Sequence, residues 1–286
     1  MIVITKVTVL GAGTMGHGIA HAAMMAGCDT VLYDVAPAAV EKGRRAIGGI
    51  MEKSLELGKI TSADAAAATA RLTTTTSLAG ALSGSRFIIE AAPEQIGLKL
   101  ALLADIEKLA PADAVIASNT SSLSVTEMAA ALSNPRRLAG MHFFNPVHKM
   151  KLVEVVRALE SSDETLQTVE AVARQMGKET VIVRDSAGFV TSRVNAMIGN
   201  EAFYMLQEGV ASARDIDKAL KLGLNHPMGP FELVDLVGLD TRLSVLEFLH
   251  KSLGEKYRPC PLLVQHVRAG RLGKKVGRGV YDYPAV

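Results

Sequence analysis

Apolar positions follow two regimes along the chain, and the change falls near residue 185. In the first regime, short runs rich in β-branched residues alternate with longer stretches whose apolar residues recur at helical spacing. Residues 6–10, 30–33, 73–76, 86–90, 114–118, 138–143, 152–156 and 180–183 read as strands. Helical stretches separate several of them. Residues 37 to about 72 read as two helices broken near Gly58, and 94–110 and 163–176 read as one helix each. The alanine-rich 63–70 reads as a surface helix. Buried, Val- and Ile-rich strands alternating with helices predict a largely parallel sheet covered on both faces. Links after His142 are short, so antiparallel pairing is expected at that edge. From Ala187 onward strand-like runs cease, and helical segments follow one another at 189–207, 213–221, 231–237, 241–253 and 262–269. Such a succession predicts a second, smaller, all-α domain. Asp185-Ser186-Ala187-Gly188 is the expected joint, dividing the chain into 1–184 and 185–286.

Between the first two strands the chain reads Gly11-Ala12-Gly13-Thr14-Met15-Gly16, leaving a strand and opening a helix. In that setting each glycine has its own task. The first makes a tight turn, the second lets backbone approach a pyrophosphate, and the third allows close helix–strand packing. The helix N-terminus, with Thr14 and Met15 in its first turn, then faces the phosphate charge. Asp34 closes the second strand about 20 residues later, where a carboxylate holds the two ribose hydroxyls of NAD and repels a 2′-phosphate. These residues predict an α/β, Rossmann-type, doubly wound, mostly parallel sheet that binds NAD. Asp34 alone does not decide against NADP.

Composition narrows the partners. Apolar residues make up 49% of 286, enough for a core without covalent staples. Thirty-one basic residues against 29 acidic ones leave a net charge of +2 and no basic stripe, so nucleic acid is not expected. Cys28 and Cys260 are too few for a disulfide framework and lack zinc-ligand spacing; two inert thiols suit a reducing setting. The segment from Met1 to Leu10 is too short for a signal peptide, and apolar stretches break before the ~18 residues of a membrane span. A cytoplasmic protein without a membrane partner is expected.

Three segments carry candidate chemistry. His142, in Met141-His142-Phe143-Phe144-Asn145-Pro146, closes a predicted strand, and ligands of open α/β sheets sit beyond the carboxyl ends of strands. An imidazole there can take a proton from an alcohol near neutral pH. A core histidine bonded to backbone is the other reading. Glu154 interrupts the apolar Leu152-Val153-Glu154-Val155-Val156. If that strand is buried, its carboxylate needs a partner, and His142 on the adjacent strand is the candidate. A carboxylate behind an imidazole fixes its tautomer and stabilises the imidazolium. A glutamate facing water from an edge strand is the alternative. Ser118-Asn119-Thr120-Ser121-Ser122 ends another apolar strand. Its side chains can bind a substrate oxygen, or, with Ser124, cap the next helix.

Together with Glu90-Ala91-Ala92-Pro93-Glu94, Lys151-Leu152-Val153-Glu154-Val155 and Asp185-Ser186-Ala187-Gly188-Phe189-Val190, these motifs resemble the 3-hydroxyacyl-CoA dehydrogenases. So do His226-Pro227-Met228-Gly229-Pro230-Phe231-Glu232-Leu233 and Gly273-Lys274-Lys275-Val276-Gly277-Arg278-Gly279, which complete the set in order over almost the whole chain. The short, free-standing length is similar to the 3-hydroxybutyryl-CoA dehydrogenases rather than to a multienzyme that carries this module beside a hydratase.

The resemblance implies an active site of Ser121, His142 and Glu154 acting on an acyl-CoA. His142 would be the base in alcohol oxidation and the acid in ketone reduction. Glu154 would orient it, and Ser121 would bond the reacting oxygen or the thioester. The resemblance also implies cofactor contacts by Glu94, Lys99, Asn145 and Lys275, and a homodimer through the helical domain. One position departs from the pattern. Four residues past Gly188 the family usually has asparagine, and this chain has Ser192, a shorter side chain with one donor, so a substrate bond there is weaker or water-bridged. Asn195, one turn later, points to a similar face.

Lys42, Arg44, Arg45 and Lys53 are candidates for the CoA phosphates, against the more common reading of a solvated helical face. Two other functions stay open: a dehydrogenase of a 3-hydroxy acid or sugar acid without CoA, and an NADH-binding relative that has lost activity.

Overall fold

The computed structural model describes residues 3–284, in two compact units, Met1–Asp185 and Ser186–Val286. The first is built on one eight-stranded sheet. Its strands are β1 (Lys6–Leu10), β2 (Asp29–Tyr33), β3 (Leu72–Thr75), β4 (Phe87–Glu90), β5 (Val115–Ser118), β6 (Leu138–Phe143), β7 (Leu152–Arg157) and β8 (Glu179–Arg184). They lie in the order β3-β2-β1-β4-β5-β6-β7-β8. All neighbours pair in parallel except β6 and β7. The helices between them are α1 (Thr14–Met25), α2 (Pro37–Glu56), α3 (Ser62–Ala70), α4 (Leu78–Leu82), α5 (Ile96–Leu109), α6 (Val125–Ala130) and α7 (Asp163–Gln175).

The chemistry of the central strands explains their position. Every residue of β4 and β6 is buried, as expected where helices cover both faces of a parallel sheet. Val7, Val9, Phe87, Ile89, Met141, Val153 and Val155 join Ile19 and Met24 of α1 and Leu166 and Val169 of α7 in one core. Truncating one of them, Ile89→Ala for example, costs about 2–5 kcal/mol. Polar caps satisfy the free amides at the helix starts. Thr61 accepts from the Asp64 amide in a capping box that starts α3, and Ser162 starts α7 by accepting from the Thr165 amide.

The antiparallel pairing expected after His142 is confined to β6 with β7, because β8 runs parallel to β7. The connections give the reason: α7 crosses over between β7 and β8, whereas the link from β6 to β7 holds no helix. The expected break near Gly58 is present between α2 and α3, where Gly58 has φ 62°. α4 has no counterpart in the sequence reading, since five residues are too few to show a helical period.

The second unit holds α8 (Thr191–Gln207), α9 (Ala213–Gly223), α10 (Pro230–Val237), α11 (Leu239–Leu253) and α12 (Pro261–Arg268). Ala196, Phe203, Phe231, Val234, Leu246, Tyr257 and Leu263 form its core. α8 starts two residues later than the apolar pattern suggests, because Phe189 is left-handed at φ 49° and cannot continue a helix. Two buried carboxylates organise the rest. Asp217 accepts from the amides of Phe231 (2.8 Å) and Glu232 (3.2 Å) and from the Tyr281 hydroxyl (2.7 Å), and so anchors the start of α10. Asp235 accepts from the amides of Val280 and Tyr281 and from the Tyr283 hydroxyl, and so holds the C-terminal segment.

Candidate active site

β1 and β4 are neighbours, yet their following helices depart on opposite sides of the sheet order, which opens a crevice at their carboxyl ends. Gly11 stands there with φ 109°, and a Cβ on it would lie 2.5 Å from the Ala91 carbonyl oxygen. Gly16 is tighter still, for a Cβ there would stand 1.7 Å from the Gly11 oxygen. Gly13, the N-cap of α1, faces open space with nothing within 4 Å of an added Cβ. Thr14 and Met15 form the first turn, which contains no acidic residue. Asp34 reaches back to this turn: its Oδ2 accepts from the Ala12 amide at 2.9 Å and its Oδ1 from the Ala36 amide at 3.1 Å. An uncovered helix N-terminus, closely packed glycines on both sides and a carboxylate at the end of β2 fit a dinucleotide.

His142 ends β6 and pairs in register with Glu154 of β7. Its Nδ1 lies 2.7 Å from Glu154 Oε2. Glu154 is fully buried and β7 is flanked by β6 and β8, so the water-facing edge reading of this glutamate does not hold. Beside the imidazole, the Phe144 ring lies 4.6 Å away centroid to centroid.

The loop after β5 is held from below by charged residues. Glu94 Oε1 accepts from the Thr120 hydroxyl (2.7 Å), the Ser121 amide (2.9 Å) and the Ser122 amide (3.0 Å). Burial would raise the Glu94 carboxyl, but the Lys99 charge and the bonds from Thr120, Ser121 and Ser122 outweigh it and hold the group below its usual range. Lys99 is buried, and it donates to Glu90 Oε1 (2.7 Å) and to the Ala92 carbonyl (3.2 Å), with Glu94 Oε2 at 3.5 Å. Glu90 accepts in turn from the Ser118 hydroxyl at 2.5 Å. Asn119 Oδ1 accepts from the Phe143 amide at 2.9 Å, joining this loop to the residue after His142.

Ser121 is thus a half-buried member of an ordered loop, and Asn145 is exposed just beyond β6, before a cis Pro146. Ser192 and Lys275 belong to the helical unit. Ser192 is half-buried on the first turn of α8, and Lys275 Nζ donates to both carboxylate oxygens of Asp240 at 2.6 Å. Ser124 caps α6, accepting from the Glu127 amide at 3.1 Å. On α2, Arg44 and Arg45 pair with Glu41 and Lys53 with Glu56, all exposed, which is the behaviour of a solvated face. Ser118 and Asn119, expected with their neighbours to bind a substrate oxygen or begin a helix, instead hold Glu90 and the Phe143 amide, and Glu90 was given no role of its own. Glu90 carried a readable signal, a carboxylate ending the apolar run Phe87-Ile88-Ile89, the same signal that marked Glu154.

A glycine turn built for pyrophosphate, a ribose-directed carboxylate and a histidine–glutamate pair on one sheet define an NAD-dependent oxidoreductase. Residues 6–186 match the NAD binding domain of 3-hydroxyacyl-CoA dehydrogenase, and residues 188–283 match its C-terminal domain. The chain is 47% identical over 281 residues to a probable 3-hydroxybutyryl-CoA dehydrogenase of Bacillus subtilis, covering 98% of each. It is 42% identical to a 3-hydroxybutyryl-CoA dehydrogenase of Bradyrhizobium diazoefficiens, over 98% of this chain and 96% of that one. The crystal structure of (S)-3-hydroxybutyryl-CoA dehydrogenase from Ralstonia eutropha superposes with a TM-score of 0.96 at 45% identity, covering 99% of this chain and all of that one. The chain belongs to the 3-hydroxyacyl-CoA dehydrogenase family.

Proposed function

We propose that this chain catalyses the reversible NAD-dependent oxidation of an (S)-3-hydroxyacyl-CoA, 3-hydroxybutyryl-CoA foremost, to the 3-oxoacyl-CoA. The observation that carries the reading is the His142–Glu154 contact at 2.7 Å, with a buried carboxylate behind an imidazole at the carboxyl end of β6. NAD, when bound, supplies the hydride acceptor, and NADH the donor in reverse.

In alcohol oxidation His142 takes the C3 hydroxyl proton on Nε2, and in ketone reduction it returns that proton. With Nδ1 committed to Glu154, the tautomer is set and the imidazolium formed during oxidation has a counter-charge. Proton transfer of this kind contributes about 10²–10⁴-fold. Ser121, whose amide and hydroxyl both donate to Glu94 Oε1 (2.9 and 3.3 Å), would turn its hydroxyl from Glu94 to the substrate oxygen when substrate binds. Ser192 is carried in the same proposal as a substrate-binding residue, with a single donor where the family usually has asparagine.

For the cofactor, the Gly11-to-Gly16 turn with Thr14 and Met15 takes the pyrophosphate, Asp34 the ribose, and Glu94, Asn145 and Lys275 further groups. Lys99 acts through Glu94, since its ammonium is already surrounded by Glu90, Ala92 and Glu94. Homodimerisation through the helical unit belongs to the same proposal and is supported by the exposed apolar Leu222, Leu224, Leu236 and Val237. A cytoplasmic setting is supported by two free, buried cysteines, Cys28 and Cys260.

The test follows NADH absorbance with acetoacetyl-CoA, with NADPH in parallel and free acetoacetate as the CoA-free control. Rapid loss of the NADH signal, slow loss with NADPH and none with acetoacetate is expected. Turnover of acetoacetate at the rate of its CoA ester would replace the substrate class. NADH binding without turnover would indicate an inactive relative.

A further inference from the structure

Among the described residues, buried charges are met within the chain, with one exception in the helical unit. Lys99 meets Glu90, Arg137 meets Glu107, and Lys178 donates to the carbonyls of Val147 and Met150. Asp217 and Asp235 each accept three hydrogen bonds. Arg242, in the first turns of α11, is only 5% exposed, and no hydrogen bond or ion pair reaches its guanidinium from the described residues. Nε is enclosed without a partner. The side chain packs on α8 where Gly199 leaves room: a Cβ at Gly199 would lie 3.5 Å from Nε and 3.8 Å from Cδ.

Burial lowers the Arg242 pKa to about 10, which still leaves the group charged at neutral pH. The carboxylates nearest in sequence are committed elsewhere, Asp240 to Lys275 and Asp235 to the C-terminal segment. The start of a helix adds partial positive charge of its own, so the position disfavours a lone cation twice over. A buried ion without a counter-ion is among the costliest arrangements in a fold, and an apolar side chain would fill the same space without that cost.

We propose that Arg242 is an oxyanion receptor, which takes a carboxylate or phosphate group presented from outside the chain. A guanidinium offers a planar fork of donors matched to such groups, and in a shielded site this pairing is far stronger than at a free surface. With only 5% of its surface exposed, Arg242 can be met by the oxygens of a small or protruding group alone. Two sources share that chemistry: a free small oxyanion, or a side-chain carboxylate of a second copy of this chain. The site is independent of the hydride-transfer reading.

The experiment compares melting of wild type and Arg242→Met in sodium phosphate and in sodium chloride at matched ionic strength, with sedimentation of both proteins. A free oxyanion predicts that phosphate, relative to chloride, raises the wild-type Tm by about 2–4 °C more than it raises that of Arg242→Met, the shared part of the response coming from the dinucleotide turn and from general salt stabilisation. A carboxylate from a second copy predicts equal phosphate responses in the two proteins, but weaker assembly of Arg242→Met, which dissociates at protein concentrations where wild type does not. In chloride, the monomeric variant should melt no lower than monomeric wild type, since an unpaired charge has been removed. Equal phosphate responses in wild type and Arg242→Met, together with unchanged assembly, overturn the proposal. If Arg242→Met does not fold, Arg242→Gln is compared with wild type by the same criteria.

Discussion

Nδ1 of His142 and Oε2 of Glu154 lie 2.7 Å apart, in register across the antiparallel junction of β6 and β7. The reversal of direction produces this contact. Because β7 runs back along β6, a residue near the start of β7 faces one near the end of β6, where the sheet presents its binding crevice. Twelve residues of separation therefore bring the imidazole and its carboxylate to the same depth in the sheet.

Glu154→Gln is expected to keep the fold and NADH affinity while kcat falls by about 10²–10⁴-fold, because an amide does not hold the imidazolium as a carboxylate does. Steady-state kinetics beside NADH titration tests this. Parallel losses in kcat and NADH binding would mean that the pair is structural.

Two glycines of the same turn should behave differently. Gly16→Ala places a Cβ 1.7 Å from the Gly11 oxygen and is expected to destabilise the protein by about 3 kcal/mol. Gly13→Ala meets nothing within 4 Å, so its Tm should stay within about 2 °C while NADH binds roughly tenfold more weakly. Unchanged NADH affinity in Gly13→Ala would remove the turn from the cofactor site.

Asp34→Ala removes the acceptor for the Ala12 and Ala36 amides together with the charge that repels a 2′-phosphate. NADH affinity should fall about tenfold, near 1.4 kcal/mol, and NADPH affinity should rise. An unaltered NADH-to-NADPH ratio in parallel titrations would show that another residue sets cofactor choice.

Lys99→Met leaves the fully buried Glu90 without its cation and should cost about 3–5 kcal/mol in denaturant unfolding. Adding Glu90→Gln should recover part of that loss, since the uncompensated charge disappears. Strictly additive losses would argue against the buried pair.

Both ring nitrogens of His21 are buried without a hydrogen-bond partner. Burial, with the neighbouring charges of His148, Lys178 and His17, holds its pKa down to about 4. The folded state thus favours the neutral ring. Its contribution is intact above the usual 6.5 and is lost as the pH falls from there toward 4. Relative to wild type, His21→Leu should gain about 2 kcal/mol between pH 7.5 and pH 5 in chemical unfolding. A constant difference across that range would count against His21 as a source of acid sensitivity.

Much of this architecture was legible before any coordinates, for reasons tied to particular residues. Val7-Thr8-Val9-Leu10 followed by Gly11-Ala12-Gly13 can be read because a strand entering a glycine turn leaves a local pattern. The same holds for Glu90 and Glu154, each a carboxylate in an apolar run, although only Glu154 was given a partner. The part played by Lys99 was not legible. Whether an ammonium faces a cofactor or a buried Glu90 depends on which helix face packs inward, and α5 has apolar residues on more than one face.

Local patterns along the chain were sufficient for the glycine turn, the alternation of strands and helices and the shift to helices after residue 185, because each depends on neighbours within a few positions. Partner choice across long separations was decided only in three dimensions. Glu94 finds Ser121 across 27 positions, and Asn119 finds the Phe143 amide across 24. β7 lies inside the sheet rather than at its edge because α7 carries β8 over to its far side. Arg242 differs in kind: its sequence context looks like any exposed helical charge, and only the gap at Gly199 and the packing of α8 against α11 bury it. Burial and pairing are properties of packed surfaces, and short-range periodicity carries no record of which surfaces meet.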